Sequence, residues 1–554
     1  MQKSSRQGRL RLAVGRYAFA GAAMAAAPGQ AVDLDTGNPD VALRFDNTVK
    51  ASTIYRLHDA DPTLLNSFNA NGGPQALNFN AGDQNFRNAG AVSQRVDLLS
   101  EFDLVYKRDF GLRVSGAAWY DRAYHRDTDA ASDPTLGQRP YNRFQSYTRK
   151  MAGEKAELLD AFVFGGVTLD GGGKVSARLG RHALVYGESL FFGDNAIAAA
   201  QGPSDIAKLM ASPNAQFKEI VRPVPQLSAQ WQVTPNVSVG GYLQFRWEES
   251  RVPPAGSYFS SANIPWNSTG PEYIGIPAGP VAGNYVLTPG GDEHPRDSGQ
   301  FGLQLKWRLD ETDLGFYFAR YHDKFGQLFG RLNPGAPATD SRWYFVFGDD
   351  IKVAAISASR SVGDFNLSAE ASVRDNMPLV VNNAIYFGPA GTPRPAIPVG
   401  RTAHLNLSTL ANFGPNFIAS ESAFVAEVAW NRRLSMDDPN NELDKGRTRD
   451  ASIVQFTYTP TYRQALPGLD LSVPVGARYT LAGRSSVTSW GPRHTGNASI
   501  GLDGNYLNVW QISLNYNHYI GASVPSTDYR TSAFGDGNAL GDRDYISLSV
   551  RRTF

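Results

Sequence analysis

The sequence predicts an all-β protein: a transmembrane antiparallel up-and-down β-barrel of about 18 strands, with about 16–18 compatible with the pattern. Three observations support this fold. Polarity alternates residue by residue along most of the chain, short and long connections follow each other, and the first residues have the layout of an export signal. Of the 554 residues only 19% are charged, whereas about a quarter is usual in soluble proteins.

The first 31 residues have the three-part organisation of a secretory signal peptide. An apolar stretch at 17–27 follows five basic residues, which are Lys3, Arg6, Arg9, Arg11 and Arg16. Small residues fit a cleavage site near 27 or 31. We therefore expect an exported mature chain, 32–554, with a formal charge of −4. Beyond residue 31 no stretch approaches the roughly 20 apolar residues of a membrane-spanning helix.

The strands are predicted from a period of two. Between Val41 and Leu57 the odd positions are mostly apolar, whereas the even positions include Arg44, Asp46 and Lys50. The same alternation returns near 92–106, 227–233, 237–247, 301–309, 365–373, 403–407 and 469–481. Side chains with this period lie on the two faces of a strand. We expect the apolar face to contact lipid and the polar face to line the lumen.

The connections predict an up-and-down order. Clusters of Gly, Asn, Asp and Pro, such as 170–173 and 503–505, are typical of tight hairpins. Between them lie nine long polar segments, near 58–90, 127–155, 187–225, 251–298, 326–349, 377–400, 432–449, 484–495 and 520–543. Outer-membrane barrels alternate short periplasmic turns with long outer loops in this way. An even strand number then places both termini in the periplasm.

Aromatic residues near strand ends and the end of the chain fit the same fold. Candidates for the interfacial girdles are Trp119, Tyr120, Trp247, Trp307, Trp430 and Tyr458, because such rings are favoured at the two membrane surfaces. The final segment 544–554 ends in Phe554, with Ile546, Leu548 and Val550 on the same face. It resembles the sorting signal that the barrel-assembly machinery of Gram-negative bacteria recognises.

The composition excludes several function classes. The chain has no Cys, which excludes disulfides, thiolate metal sites and thiol catalysis. A formal charge of +1 argues against a nucleic-acid partner. None of the eight His lies in an H-E-x-x-H motif, and there is no G-x-S-x-G elbow. We therefore expect neither a metal nor a cofactor, and no catalytic residues.

Several blocks of the sequence resemble a known family. They are 34–50, 180–189, 217–219, 222–225, 247–248 and 541–549, of which the stretch from 180 to 226 is the most specific. The chain is similar to the domain-of-unknown-function 1302 proteins. This resemblance implies a Gram-negative outer-membrane barrel. It also implies a link to hydrophobic compounds, a second exported protein in the periplasm and an inner-membrane exporter, but no substrate.

Segment 187–225 is the strongest candidate for a functional element. It is the only long loop whose sequence indicates folding: 204–211 could form a short helix capped by Ser204, and 197–200 is apolar. Our hypothesis is that it enters the lumen and constricts the pore, since large barrels otherwise leave a wide channel. The candidate constriction residues on the loop and the wall are Arg95, Asp97, Glu101, Arg178, Glu188, Lys208, Lys218, Glu219, Arg222, Arg246 and Glu370.

The predicted function is therefore an outer-membrane channel or transporter for small molecules, which could include hydrophobic compounds or lipids, working without ATP or cofactor. Its expected partners are outer-membrane lipids and the assembly machinery. One alternative is a barrel hydrolase, for which Asp121 with His125 and His322 with Asp323 are the nearest acid–histidine pairs. Another is a structural or adhesin barrel that uses the polar loop 251–298.

Overall fold

The computed structural model describes residues 32–65, 81–130, 142–260, 274–277, 284–333, 340–381, 384–524 and 537–554. The predicted signal peptide, 1–31, lies outside the described residues. In the described residues, no helix is long and apolar enough to cross a membrane.

Strands dominate the secondary structure. In chain order they are β1 Val32–Leu34, β2 Val41–Arg56, β3 Gly90–Tyr106, β4 Phe110–Asp121, β5 Glu154–Thr168, β6 Lys174–His182, β7 Val224–Thr234, β8 Val237–Gln244, β9 Ile274–Pro277, β10 Asn284–Pro289, β11 Gln300–Leu309, β12 Thr312–Tyr321, β13 Gln327–Leu332, β14 Arg342–Val346, β15 Ile351–Val362, β16 Phe365–Pro378, β17 Ala384–Phe387, β18 Val399–Phe413, β19 Glu421–Arg433, β20 Asp450–Leu466, β21 Leu469–Ser472, β22 Val475–Ala482, β23 Gly496–Tyr506, β24 Trp510–Ile520 and β25 Tyr545–Thr553.

The helical elements are short and lie in the connections. They are α1 Pro62–Leu65, α2 Ala81–Asn85, α3 Ser146–Thr148, α4 Ile206–Ala211 and α5 Phe217–Ile220, with 3₁₀ turns at Arg122–His125 and Ile197–Ala200 and a π turn at Arg149–Gly153.

The main sheet closes on itself as an antiparallel barrel. Each barrel strand pairs with its neighbours in sequence, and β2 pairs both with β3 and with the last strand, β25. The closing register runs from Thr48 opposite Thr553 to Arg56 opposite Tyr545. Strands β21 and β22 are two parts of one interrupted wall strand, and the short β1 is an extra strand that pairs with residues 43–45 of β2. Eighteen strands therefore form the wall in the described residues. The predicted fold and strand number are confirmed.

The connections alternate in length as predicted. One end of the barrel carries hairpins such as 107–109, 235–236, 310–311 and 467–468, and the other end carries nine long loops. Closure of the sheet pairs the backbone groups of every wall strand, which is what a lipid environment demands.

The two faces of the wall differ as the alternation predicts. Large apolar side chains such as Leu98, Leu303 and Ile356 are exposed on the outer face. The inner face carries buried polar residues such as Lys50 and Glu427. Two girdle predictions are wrong. The ring of Trp119 is on the inner face beneath Arg95, at 4.7 Å, and Trp247 packs in a loop cluster with Leu287 and Trp343.

The prediction that only one long loop is folded is also wrong. Strands β17, β13, β14, β10 and β9 form a second, five-stranded sheet from the loops after β8, β12 and β16. Its core holds Phe329, Trp343 and Phe345, all nearly fully buried. The pairings β10–β14 and β13–β17 join separate loops and are parallel. A hairpin signal in the sequence cannot predict such pairings.

Candidate functional site

Residues 183–223, which connect β6 and β7, form what we call the inner loop. The first arm, 183–201, contacts the inner faces of wall strands from β8 to β22. The second arm, 202–223, contacts those of β2 to β4 and β25. The sequence boundaries of 187–225 are therefore close to the observed ones. The hypothesis that this segment constricts the pore is taken up below as part of a proposal.

Local sequence explains the folded pieces of the second arm. Helix α4 begins after Asp205, whose carboxylate accepts the N–H of Lys208 at 2.8 Å. The predicted cap, Ser204, is one residue too early, because its backbone forms a bridge to Val221 instead. Helix α5 has a capping box, in which the Glu219 carboxylate accepts the Gln216 N–H at 3.0 Å. Side-chain caps of this kind stabilise helices too short to stand alone.

The first arm is held by Glu427 of β19. This carboxylate accepts the Ser189 hydroxyl at 2.8 Å and the backbone N–H groups of Leu190 at 3.0 Å, Phe191 and Phe192. Glu427 is only 1% exposed. Three successive N–H groups that point at one carboxylate form an anion nest. Here the anion belongs to the wall and the nest belongs to the loop.

A second carboxylate and an arginine of β16 extend this attachment. Glu370 accepts the N–H of Ile197 at 2.6 Å and that of Glu188 at 3.0 Å. Arg374 donates to the carbonyls of Asp194 at 3.1 Å and Ala196 at 2.9 Å. The backbone of the first arm therefore finds both acceptors and donors on the wall, which satisfies polar groups that no regular secondary structure pairs.

The amide of Asn195 joins the first arm to β18 and, a second time, to β19. It accepts from His404 at 2.9 Å and from Asn431 at 3.1 Å, and donates to Asn406 Oδ1 at 2.9 Å. Asn195 and its three partners are all buried. At the bend just before, Gly187 has a φ of +92°, and a Cβ there would collide with the Glu370 carboxylate. Only glycine lets the chain pass this close to the wall.

The second arm is fixed by ion pairs. Lys208 contacts Glu219 at 2.8 Å within the arm, and its ammonium lies 5.1 Å from the Trp119 ring. Lys218 pairs with Glu101 of β3, and Lys50 of β2 donates to Ser212 at 2.5 Å. Burial alone would raise the pKa of Glu219, but the adjacent Lys208 ammonium outweighs it and holds this pKa below its usual value.

The structure brings most of the predicted site residues together, in two groups. Six of them lie around the second arm: Arg95, Asp97, Glu101, Lys208, Lys218 and Glu219, with Arg95 and Asp97 paired at 2.7 Å. Glu188 and Glu370 lie at the first arm, where Glu188 is 3.8 Å from Lys306.

Three predicted residues lie apart from these two groups. Arg222 pairs with Glu248 at 3.1 Å, beside Arg181. Arg178 is exposed over the Phe162 ring, and Arg246 is exposed just beyond β8.

Sequence reasoning missed the residues that hold the first arm. Glu427, Arg374 and Asn195 were not singled out, although both wall residues are charged side chains in the middle of long strands. A buried charge is costly unless it is paired, so a mid-strand Glu or Arg on the inner face predicts a partner. The sequence does not say that this partner is the backbone of a loop more than 170 residues away.

The inner loop covers one part of the wall and leaves another part open. Inward-facing residues of β15 to β19, such as Ser357, Glu370, Asn406 and Glu427, are buried. We call the inner faces of β20 and β22 to β24 the open wall. Its half-exposed residues include Gln455, Thr457, Arg478, Asn497, Ser499 and Asn515. In the described residues, β23 and β24 receive no hydrogen bond from the inner loop.

Two arginines mark the places where the arms meet this open wall. Arg478 of β22 lies 5.2 Å above the ring of Phe192 in the first arm. Arg551 of β25 donates to Gln511 at 2.8 Å and to the Asn214 carbonyl of the second arm at 3.3 Å. A gap lined mainly by neutral amide and hydroxyl groups, together with the carboxylate of Asp503 on β23, therefore runs between two guanidinium groups.

The acid–histidine pairs considered from the sequence do not form dyads. Asp121 binds Ser93 and the Ala123 N–H, and His125 stacks on Tyr120 at 4.7 Å. The Nδ1 atom of His322 accepts the Asp350 N–H at 3.0 Å.

The structure contains a different pair. His518 Nδ1 lies 2.6 Å from Asp544 on the outer face of β24. In the described part of the chain the hydrogen bonds of the His518 ring go to Asp544 alone, so this pair lacks the nucleophile that a hydrolase needs. The same residues contain no cluster of three or more metal-binding side chains.

A closed eighteen-stranded barrel with a loop attached to its inner face defines a porin-like β-barrel protein. The chain belongs to the family described as "Protein of unknown function (DUF1302)", whose model matches residues 13–554. The resemblance seen in the sequence is thereby confirmed. No curated protein matches the chain.

Among solved structures, OccAB4 of Acinetobacter baumannii aligns with a TM-score of 0.40 and 10% identity over 95% of this chain and 100% of its own. OccK2 (OpdF) of Pseudomonas aeruginosa aligns with a TM-score of 0.39 and 10% identity over 92% of this chain and 97% of its own. OmpT of Vibrio cholerae aligns with a TM-score of 0.36 and 8% identity over 95% of this chain and 100% of its own. At these scores the alignments carry no argument about function.

Proposed function

We propose that the protein is an outer-membrane channel that passes small molecules along the open wall, with the inner loop as its constriction. The observation that carries the proposal is the uneven attachment of the loop to the inner face. It binds inward residues of β16, β18 and β19, whereas in the described residues β23 and β24 receive no hydrogen bond from it and carry half-exposed Asn497, Ser499 and Asn515 beside the buried Ser513 and Asn517. A loop that served only as a plug would cover the whole circumference. Diffusion through such a gap needs neither ATP nor a cofactor.

The placement in the outer membrane rests on the outer face. Its exposed Leu, Val, Ile and Phe side chains form a band around the barrel, as expected for strands that cross a bilayer. The predicted signal peptide would deliver the chain to the periplasm. The inward residues of the open wall are mainly uncharged hydrogen-bonding groups. We infer that selectivity depends on the gap's size and hydrogen-bonding groups more than on net charge.

The test is the conductance of the refolded chain 32–554 in a planar bilayer. We expect discrete, stable steps. A variant that lacks 195–212 removes parts of both arms and should conduct more current per step. A barrel that is correctly inserted, as judged by heat-modifiable electrophoretic mobility, but conducts no ions would refute the channel. Equal conductance in both proteins would refute the role of the loop. Liposome swelling with sugars, organic acids and lipophilic compounds would then define the passengers, of which hydrophobic ones remain a prediction.

A further inference from the structure

The two sides of the proposed passage differ in chemistry. The open wall presents amide and hydroxyl groups, for example Asn497, Ser499 and Asn515. The inner loop opposite exposes large apolar side chains: Leu190 is 43% exposed, Leu209 49% and Phe217 65%. Contacts of adjacent residues place all three inside the barrel, because the Leu190 N–H binds Glu427, Lys208 lies against Trp119 and Lys218 pairs with Glu101.

This exposure differs from that of the aromatic residues in three other long loops. Aromatic side chains of the loops after β2, β8 and β12, such as Phe86, Tyr258 and Phe345, are buried in clusters. The inner loop buries apolar residues such as Phe192 and Ile197 against the wall, but in α4 it is Lys208 that is buried, at 3% exposed, and its neighbour Leu209 that is half exposed. The helix α4 therefore directs its charged side chain at the wall and an apolar one at the lumen. Exposed apolar surface of this kind is typical of a surface that contacts apolar ligands.

A partly apolar strip continues below the first arm on the wall. Leu410 of β18 faces inward, since Ser408 on the same face donates to the Glu188 carbonyl, and Leu410 is 40% exposed. Val425 of β19 lies directly opposite Leu410 in the sheet register. A molecule that passes Leu190 toward the hairpin end would therefore stay in contact with apolar side chains.

We propose that the passengers are small amphiphiles, with an apolar ring or chain on one side and hydroxyl or similar uncharged hydrogen-bonding groups on the other. The apolar part slides along Leu190, Leu209 and Phe217 while the polar groups exchange hydrogen bonds along the open wall. Purely polar solutes of the same size gain only the second set of contacts. Purely apolar solutes must strip water from the amide wall without replacing its hydrogen bonds, which is costly. This inference rests on the proposed channel function.

The test compares two solutes of similar size by liposome swelling with the refolded barrel. p-Nitrophenyl glucoside has an apolar ring beside its hydroxyl groups, whereas maltose is polar throughout. We expect the aryl glucoside to enter roughly three to ten times faster. The variant with Leu190→Ser, Leu209→Ser and Phe217→Ser should lose this preference and keep its maltose rate. Leu209→Met and Phe217→Leu, which retain apolar surface, should keep the preference. Protein-free liposomes give the background rate for each solute.

A matched control is Phe417→Ser. Phe417 is 98% exposed in the hairpin 414–420 outside the passage, so the preference should remain. Equal rates for both solutes in the unsubstituted protein, or a preference that survives the triple substitution, would overturn the amphiphile inference while the channel stands. Absence of both swelling and ion conductance would overturn the channel itself and this inference with it.

Discussion

Replacing Glu427 by alanine should release the first arm of the inner loop. The substitution removes the common acceptor of three successive N–H groups and of the Ser189 hydroxyl. Hydrogen bonds to a charged group contribute about 1.5–3 kcal/mol each, so these four set an upper limit of roughly 6–12 kcal/mol. Water that enters the lumen replaces some of the lost hydrogen bonds and so reduces the lost free energy, and Glu370 and Arg374 still hold the arm. We therefore expect a loss of about 3 kcal/mol, which is about a hundredfold in the population of the released arm.

Chymotrypsin measures this population, because Phe192 is 1% exposed in the attached arm and becomes cleavable only on release. Cleavage after Phe191 or Phe192 should accelerate about a hundredfold in Glu427→Ala, and single-channel conductance should rise and fluctuate. Glu421→Ala is the matched control. It lies on the same strand but forms an exposed pair with Arg463, which contributes little. Unchanged cleavage in Glu427→Ala would refute the idea that this carboxylate holds the loop.

Three further changes test other parts of the molecule. Arg478→Gln should shift the zero-current potential in a KCl gradient toward cation preference, whereas Arg360→Gln, on the outer face, should leave it unchanged. Arg543→Met should lower stability by about 3–5 kcal/mol in a thermal melt, because it removes the 2.8 Å partner of Asp83, which is 1% exposed and then keeps only the more distant Arg56, at 3.7 Å. An unaltered midpoint would contradict this. Burial lowers the pKa of Lys324 to about 7. Between about pH 7 and 10 the unfolded chain therefore binds more protons than the folded chain, so the stability of the fold should rise with pH in this range. The rise should be weaker in Lys324→Met.

The barrel could be predicted because its physics is local. A strand between lipid and water must alternate, and each residue from Val41 to Arg56 takes the face that its parity assigns. The hairpins likewise follow from turn residues at fixed positions. The second sheet could not be predicted, because β10–β14 and β13–β17 are parallel pairings between separate loops. Nothing within either loop specifies its partner.

The site could be predicted in part, where its contacts join charged side chains. The attachment of Lys218 to Glu101 follows the general rule that buried charges seek partners. Glu427 and Glu370, by contrast, bind backbone N–H groups, which every residue carries and which therefore leave no trace in the sequence. The position of Trp119 near a strand end predicts an interfacial ring, but its ring lies under Arg95 and Lys208.

These attachments change how the charge of the lumen should be understood. Counting carboxylates on the inner face suggests a cation channel, since Asp97, Glu101, Glu370 and Glu427 all face inward. Each is buried and already bound to a loop group or an arginine, so its field is largely compensated before an ion arrives. Arg478 and Arg551 border the gap, and carboxylates lie near both of them: Asp194 near Arg478, and Glu219 and Asp503 near Arg551. Any ion preference of the channel should therefore depend on these two guanidinium groups together with the inward carboxylate of Asp503 on the open wall, more than on the buried acids of the covered wall.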